Sequence, residues 1–400
     1  MSEHNPRRND HAQAPTSNHS QRPEQNIQPI PWQSKLDTDL NASKDALEVH
    51  LDMLEADDKA RATVNSHERR LNRFLDWLCP EPLLTDEENA AEPGPDIKTT
   101  DQLTSRHIQQ WKMERAPELA KSTLKTECDT VRRFCVNLEA YGALPQGFHY
   151  YVESPSLSED EERSGESIDV DRARQITEYL RKYEWGSERH AFWELIWTTA
   201  MRIGGAHSIS EPDIDWEKGQ IRLRHRPDTG TTLKNGSGMG SDGGERNANV
   251  SETVLNVLDD WINHPDRASD PVDEHGRVPL FPNEDGDGRR CKQFLRDLTY
   301  AMTRPCAYGA ECPHDRDPDT CDAAQSKNKA YACPSSTTPH PVRSGAITRM
   351  RDNDVPKRVV RDEVDASESV IDRHYDDGDE DERAEIRREY LERDDAYGDE

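Results

Sequence analysis

The segment Lys121–Tyr141, KSTLKTECDTVRRFCVNLEAY, sets the terms for the fold. Leu124, Cys128, Val131, Cys135 and Leu138 fall on one stripe of a helix whose other faces are largely polar. A helix that buries a single stripe needs partners of the same kind, and they precede it. Within residues 40–78, Ala46, Leu47, Leu51 and Leu54 space one apolar face, and Val64, Leu71, Leu75 and Leu78 space another. Thr104 is placed to cap a short helix running through Trp111 and Met113. These segments predict a compact bundle of about four helices over residues 39–150. Residues 1–38 are polar, rich in Pro, Asn and Gln, and are expected to be a disordered tail; residues 80–99 read as a Pro-rich acidic loop.

Residues 151–168 carry charge without apolar period and read as a linker. A second domain is expected over 169–392, followed by an acidic tail at 393–400. Its predicted helices are Val170–Tyr183, 189–201, 250–263, 290–302, one starting near Pro341 and a last one over 380–392. Residues 221–226, IRLRHR, alternate like a strand and lead into the Gly-rich turn NGSGMGSDGGE. The fold class is therefore mainly α with a small antiparallel sheet in the second domain. A Cys-containing insertion occupies 306–333.

Charge decides which partners are open to such a chain. Eighty acids against 52 bases give a formal charge of -28, which by itself opposes phosphate binding. Acids occur in almost every segment and Arg greatly outnumbers Lys, while apolar residues persist through the middle of the chain, as expected of folded domains adapted to molar salt. At that ionic strength the Debye length is about 3 Å, so net repulsion is screened and local contacts decide binding. There is no run of 18 apolar residues to span a membrane, and the first residues lack the apolar region of a secretory signal. The expectation is a cytoplasmic protein with no membrane partner.

Four elements stand in order in the second domain: Arg202 in TTAMRIGGAHSI, Lys234 in TGTTLKNGSG at a hairpin tip, His340 and Arg343 in HPVR, and Tyr375 in SESVIDRHYD, 32 residues beyond Arg343. They meet the needs of phosphodiester transfer without a catalytic metal. Guanidinium forks suit the negative non-bridging oxygens of the transition state. A phenol attacks in line, a mobile Lys protonates the leaving 5′ oxygen, and a His beside the phosphate shares a proton near neutrality.

This ordered set resembles the tyrosine recombinases, the phage-integrase family, over about residues 40–392, and the interval from HPVR to Tyr375 is its most specific part. The resemblance implies a core-binding bundle and a catalytic domain forming a two-domain clamp on DNA. It further implies that Arg202, Lys234, His340, Arg343 and Tyr375 surround one scissile phosphate, with a 3′-phosphotyrosine intermediate and no cofactor for the chemistry. Double-stranded DNA and further copies of the chain, as a tetramer, are the implied partners. The Cys insertion and acidic surface are similar to those of haloarchaeal integrases.

The pattern departs from the family at three places. Gly205 stands where an acid is usual, Ser344 where a His is usual, and Ala366, beside Asp365, where a His or Trp is usual. A non-catalytic DNA-binding descendant and a relaxing enzyme resembling type IB topoisomerases are accordingly the alternative readings. Arg222, Arg224 and Arg226 share one face of an alternating strand, where they either contact phosphate or offset neighbouring acids. Arg69, Arg70, Arg73, Lys112, Lys121, Lys125, Arg132 and Arg133 are the bundle's basic positions, some of them expected to face DNA. In the insertion, Cys306, Cys312, Cys321 and Cys333, with His314 nearby, crowd a polar loop that lacks a core, which favours a structural zinc site over free reduced thiols or two disulfides; Cys128 and Cys135 read as core.

Overall fold

A computed structural model describes residues 27–32, 45–80, 94–158, 161, 167–234, 244–366, 371 and 388. The chain divides into two compact units, Met1–Leu157 and Ser158–Glu400.

The first unit is built on α1 (Ala46–Ala56), α2 (Arg61–Leu78), α3 (Ser105–Arg115) and α4 (Lys121–Tyr141). Helix α1 opens with a capping box, in which Asp45 accepts from the Glu48 amide at 2.8 Å and the Glu48 carboxylate accepts from the Asp45 amide at 3.3 Å. Helix α4 ends at Gly142, whose φ of 86° supplies the left-handed turn that releases the chain. The expected stripe of Leu124, Cys128, Val131, Cys135 and Leu138 is buried, against Leu71, Phe74, Leu75 and Trp111. In α1 the core face is formed by Ala46, Val49, His50 and Leu54, so Leu47 and Leu51 lie at its margin.

The tail expectation fails over residues 27–32. Ile30 and Trp32 are buried in this core, and Ile30 and Thr100 exchange hydrogen bonds through the Ile30 amide to Thr100 Oγ1 at 3.2 Å and the Thr100 amide to the Ile30 carbonyl at 3.0 Å. Two apolar residues with no period are invisible to pattern reading, yet both are buried members of this unit's core.

The second unit centres on α6 (Glu188–Thr199), which follows α5 (Val170–Tyr183). Helix α6 is buried nearly all round, through Phe192, Trp193, Leu195, Ile196 and Trp197. The Trp193 indole N–H donates to Thr177 Oγ1 of α5 at 2.8 Å. Glu194, also buried, is satisfied by Arg181 at 2.5 Å. Then come α7 (Ile203–Ser208), strands β1 (Ile214–Asp215), β2 (Gln220–Leu223) and β3 (Arg246–Asn249), and helices α8 (Glu252–Ile262) and α9 (Lys292–Thr303). The sheet is antiparallel in the order β1-β2-β3, with Ile221 opposite both Ile214 and Ala248.

The predicted strand 221–226 is shorter than expected. The chain leaves the sheet after Leu223 because Arg226 turns back to chelate Asp213, at 2.5 and 2.9 Å. Arg222 pairs with Asp215 at 2.6 Å, and Arg224 donates to the Leu223 and Arg246 carbonyls and Asn247. These arginines offset acids and backbone oxygens within the unit. The insertion folds as short turns around α10 (Asp322–Gln325), and α11 (Pro339–Asp352) and α12 (Lys357–Val364) complete the described helices. The helix expected over 380–392 lies outside the described residues, apart from Arg388. Among the described residues, no helix is long and apolar enough to cross a membrane.

Candidate active site

The site is organised by the turn that ends α6. Ala200 adopts a left-handed φ of 48°, Met201 is buried beneath it, and Arg202 follows as the residue capping α7. The last carbonyls of a helix lack intrahelical donors, and here two arginines of α11 supply them. Arg343 Nη1 donates to the Ala200 carbonyl at 2.5 Å, and Arg349 Nη2 donates to the Trp197 carbonyl at 3.1 Å while lying over the Trp197 ring at 4.7 Å. Arg343 is buried, 5% exposed. Its anchor is therefore only two residues from Arg202, and the two guanidiniums expected to share a phosphate are joined through one backbone turn.

Helix α11 sits close enough to do this because position 345 is glycine. A Cβ there would meet the Ile168 carbonyl oxygen at 2.4 Å. The Ile168 amide donates to the Pro341 carbonyl at 3.0 Å, fixing the start of the helix. His340, in the first turn of α11, is exposed one helical turn before buried Arg343.

Lys234 is exposed at the last described position before residue 235, in the β2–β3 connection. The preceding residues are fixed: Leu233 donates its amide to His225 Nδ1 at 3.0 Å, and buried Thr231 accepts from Arg277 at 3.0 Å. A Cβ on Gly204 would lie 3.8 Å from the Thr232 carbonyl oxygen, so the strand of chain leading to Lys234 runs beside the turn that carries Arg202. Tyr375 lies outside the described residues; Ile371, four residues earlier, is buried in the core.

Two residues complete the charge pattern that sequence reasoning did not assign. Asp365, in a left-handed conformation at the end of α12, holds Arg202 Nη1 at 2.6 Å. Arg246, at the start of β3, donates through Nε to the Glu363 carbonyl at 2.6 Å, and Glu363 also takes the Asn249 amide at 2.8 Å, clasping α12 to the strand. Burial holds the Arg246 guanidinium below its usual range, a shift opposed by nearby Asp365 and Glu363 and reinforced by Arg202. Its Nη2 is buried without a hydrogen-bond partner among the described residues. Two cations thus flank one carboxylate at this corner.

The departures have local causes. Gly205 is buried, and a Cβ on it would lie 3.6 Å from Met201 Cβ and 3.7 Å from Leu223 Cδ1, so an acid there would enter apolar packing. Ala366 belongs to the core beside Val360 and Val364.

Structural comparison is informative at this point. The chain resembles the Tn1549 transposon integrase in complex with a circular intermediate DNA, at a TM-score of 0.58 and 12% identity, covering 86% of this chain and 99% of that one. A lambda integrase dimer bound to a COC' core site matches with TM-score 0.51 and 11% identity, over 81% of this chain and 95% of that one. A lambda integrase tetramer bound to a Holliday junction matches with TM-score 0.52 and 11% identity, over 80% and 73%. The fold is that of the tyrosine recombinases. No protein-family model and no curated protein matches the sequence.

In the first unit, several basic positions are engaged internally. Arg73 pairs with Glu127 at 3.1 Å, Lys125 and Arg132 with Asp129 at 3.2 and 3.1 Å, and Arg133 with Asp57 at 2.9 Å. Arg69, Arg70 and Lys112 make no ion pair among the described residues.

Proposed function

We propose that this chain is a site-specific tyrosine recombinase that breaks and rejoins duplex DNA. In that role Arg202 and Arg343 hold the non-bridging oxygens of one phosphate. The Tyr375 oxygen attacks phosphorus, its proton passing to His340 or to solvent through it, and the phosphate becomes a 3′-phosphotyrosine. Lys234 protonates the departing 5′ oxygen. A 5′ hydroxyl from another strand then attacks the same phosphorus, the tyrosine leaves, and the count of phosphodiester bonds is unchanged. No nucleotide is consumed.

The observation that carries this reading is the turn at Ala200–Arg202, where buried Arg343 is tied to the backbone two residues from Arg202. A phosphate held between the two guanidiniums would use this placement. Asp365 supplies the carboxylate that Gly205 lacks: by holding one Nη of Arg202 at 2.6 Å it leaves the other edge of the guanidinium to face substrate. Duplex DNA and a tetramer of this chain are the partners we assign, by likeness to the DNA-bound integrases described above. The acid excess suits work in molar salt of a cytoplasm such as that of haloarchaea.

The test is cleavage of a nicked duplex without added divalent metal at molar potassium chloride, using DNA selected by binding from a random pool. Wild-type protein yields a detergent-resistant protein–DNA adduct with a free 5′ hydroxyl, and Arg343→Lys, which keeps the charge but not the fork, yields none. The same gel separates the alternatives. A non-catalytic descendant binds the selected DNA without forming adduct, and a topoisomerase-like enzyme relaxes any supercoiled plasmid regardless of site.

A further inference from the structure

The insertion between α9 and α11 has little to hold it as a folded segment. Its buried apolar side chains among the described residues are Ala323 and Ala330, with Pro305 at its base. Its regular parts are the 3-10 turns Pro305–Tyr308 and Lys327–Ala332 and the four-residue α10. A loop of this composition gains order from a cross-link or a metal rather than from burial.

The cysteines sit at the joints of these turns. Cys306 lies in the first, Cys321 caps the start of α10, Cys333 follows the last turn, and Cys312 lies in the connecting loop. All four line one cavity of about 20 Å³, which is room for a single water-sized sphere or ion. The amides of Ala323 and Ala324 and the Arg316 side chain lie against the Cys321 sulfur. His314 lines the same cavity with its Nε2 engaged with Ser335 Oγ at 2.8 Å, and the four thiols by themselves complete a tetrahedral donor set. Among the described residues no three His, Cys, Asp or Glu side chains are already placed to hold a metal ion, so binding requires the cysteines that line the void to close on it.

We infer that Cys306, Cys312, Cys321 and Cys333 bind one Zn²⁺ as a tetrahedral thiolate centre that holds the insertion together. Four S–H protons pass to solvent and four Zn–S bonds of about 2.3 Å form, with no change of oxidation state. The centre then carries two net negative charges, offset by Arg316 and by Arg304, whose guanidinium donates to the Ala323 carbonyl. The ends of the insertion are already fastened. Arg172 of α5 donates to the Thr303 and Ser335 carbonyls, and the Thr337 amide donates to Thr303 Oγ1 at 2.9 Å. Cys333 lies seven residues before His340, so the centre braces the entry to α11. That bracing role rests on the recombinase reading, whereas the metal site itself does not.

The experiment uses the full chain, purified reduced and without chelator, with Zn²⁺ and Co²⁺ as probes. Elemental analysis should find one zinc per chain, and replacement by Co²⁺ should give the sulfur-to-metal charge-transfer and intense visible bands of tetrahedral thiolate cobalt. Cys306→Ser or Cys321→Ser should drop zinc well below stoichiometry, while Cys291→Ser and His314→Ala keep it. Removing the metal should lower the melting temperature, since a ligand bound only to the folded state stabilises it. Metal far below one per chain with no cobalt bands, stoichiometric zinc retained in both Cys→Ser variants, or four cysteines that resist alkylation as disulfides would each overturn the site. The cobalt spectrum of wild-type protein decides the matter even if the variants misfold. Adduct formation by metal-free protein is scored separately, so loss of the recombinase reading and loss of the zinc site are distinguishable.

Discussion

Replacing Asp365 by Asn changes one atom and removes the charge that holds Arg202. The two side chains are 31% and 24% exposed and meet at 2.6 Å, so the pair is neither dry nor freely solvated. A hydrogen bond to a charged group contributes about 1.5–3 kcal/mol, and partial exposure sets this one near the lower bound. Asn keeps an acceptor of the same shape, and a neutral bond is worth roughly half a charge-assisted one. About 0.7 kcal/mol of the orientation of Arg202 is then lost, or about threefold in the rate of adduct formation; Asp365→Ala, which removes the bond altogether, should cost about tenfold. The assay is single-turnover cleavage of a nicked duplex at saturating protein, with DNA affinity measured alongside. Binding should change less than the rate, because Arg202 is needed most when charge gathers on the phosphate. Rates within experimental error of wild type for both variants would refute the assignment of Asp365 as a positioning residue. So would Asp365→Ala slowing cleavage only in proportion to unfolded protein.

Further outcomes follow from the same geometry. Gly205→Asp, which restores the acid usual in the family, should not rescue Asp365→Asn and should destabilise the fold by about 3 kcal/mol, read by denaturant unfolding, because the carboxylate enters apolar packing. Gly345→Ala forces α11 off the Ile168 carbonyl and should cost about 1–3 kcal/mol, with a lower melting temperature and slower cleavage. Burial, with neighbouring cations, lowers the His50 imidazole to about 3 and the His207 imidazole to about 4. Since both folded values lie below the unfolded 6.5, the unfolded chain takes up protons first as pH falls, and stability is full above 6.5. It should decline from there to about pH 4, by about 3 kcal/mol for the His207 unit, a loss that His207→Gln should largely abolish in equilibrium unfolding at pH 4–7.

What the sequence disclosed, and what it did not, follows from where the stabilising contacts lie. Helices α4 and α5 carry apolar stripes, Gly142 closes α4, Asp169 caps α5 and Thr104 caps α3, so their bounds can be read from local signals. Strand β3, RNAN, buries only Ala248 and is held by its pairing to β2, so it has no alternating signal. Helix α12 is short, with Val360 and Val364 its only buried residues, and offers one apolar pair where a pattern needs several. Asp365 comes to Arg202 across 163 residues, and no local rule reports such a meeting. The Asp beside the unusual Ala366 was the available signal. Arg202 and Arg343 stand out in the sequence because their order resembles that of the recombinases and the proposed chemistry calls for two guanidiniums. The clasp between Arg343 and the Ala200 carbonyl was not, because it depends on Gly345 letting α11 approach Ile168.

The most direct measurement is the identity of the residue joined to DNA. Protease digestion of the trapped adduct, followed by mass spectrometry, should recover a nucleotide phosphate on the peptide containing Tyr375, with Tyr375→Phe giving no adduct and Tyr390→Phe and Tyr397→Phe giving it undiminished. An adduct mapped to Tyr390 or Tyr397, or cleavage that leaves free ends and stops in chelator, would contradict the account.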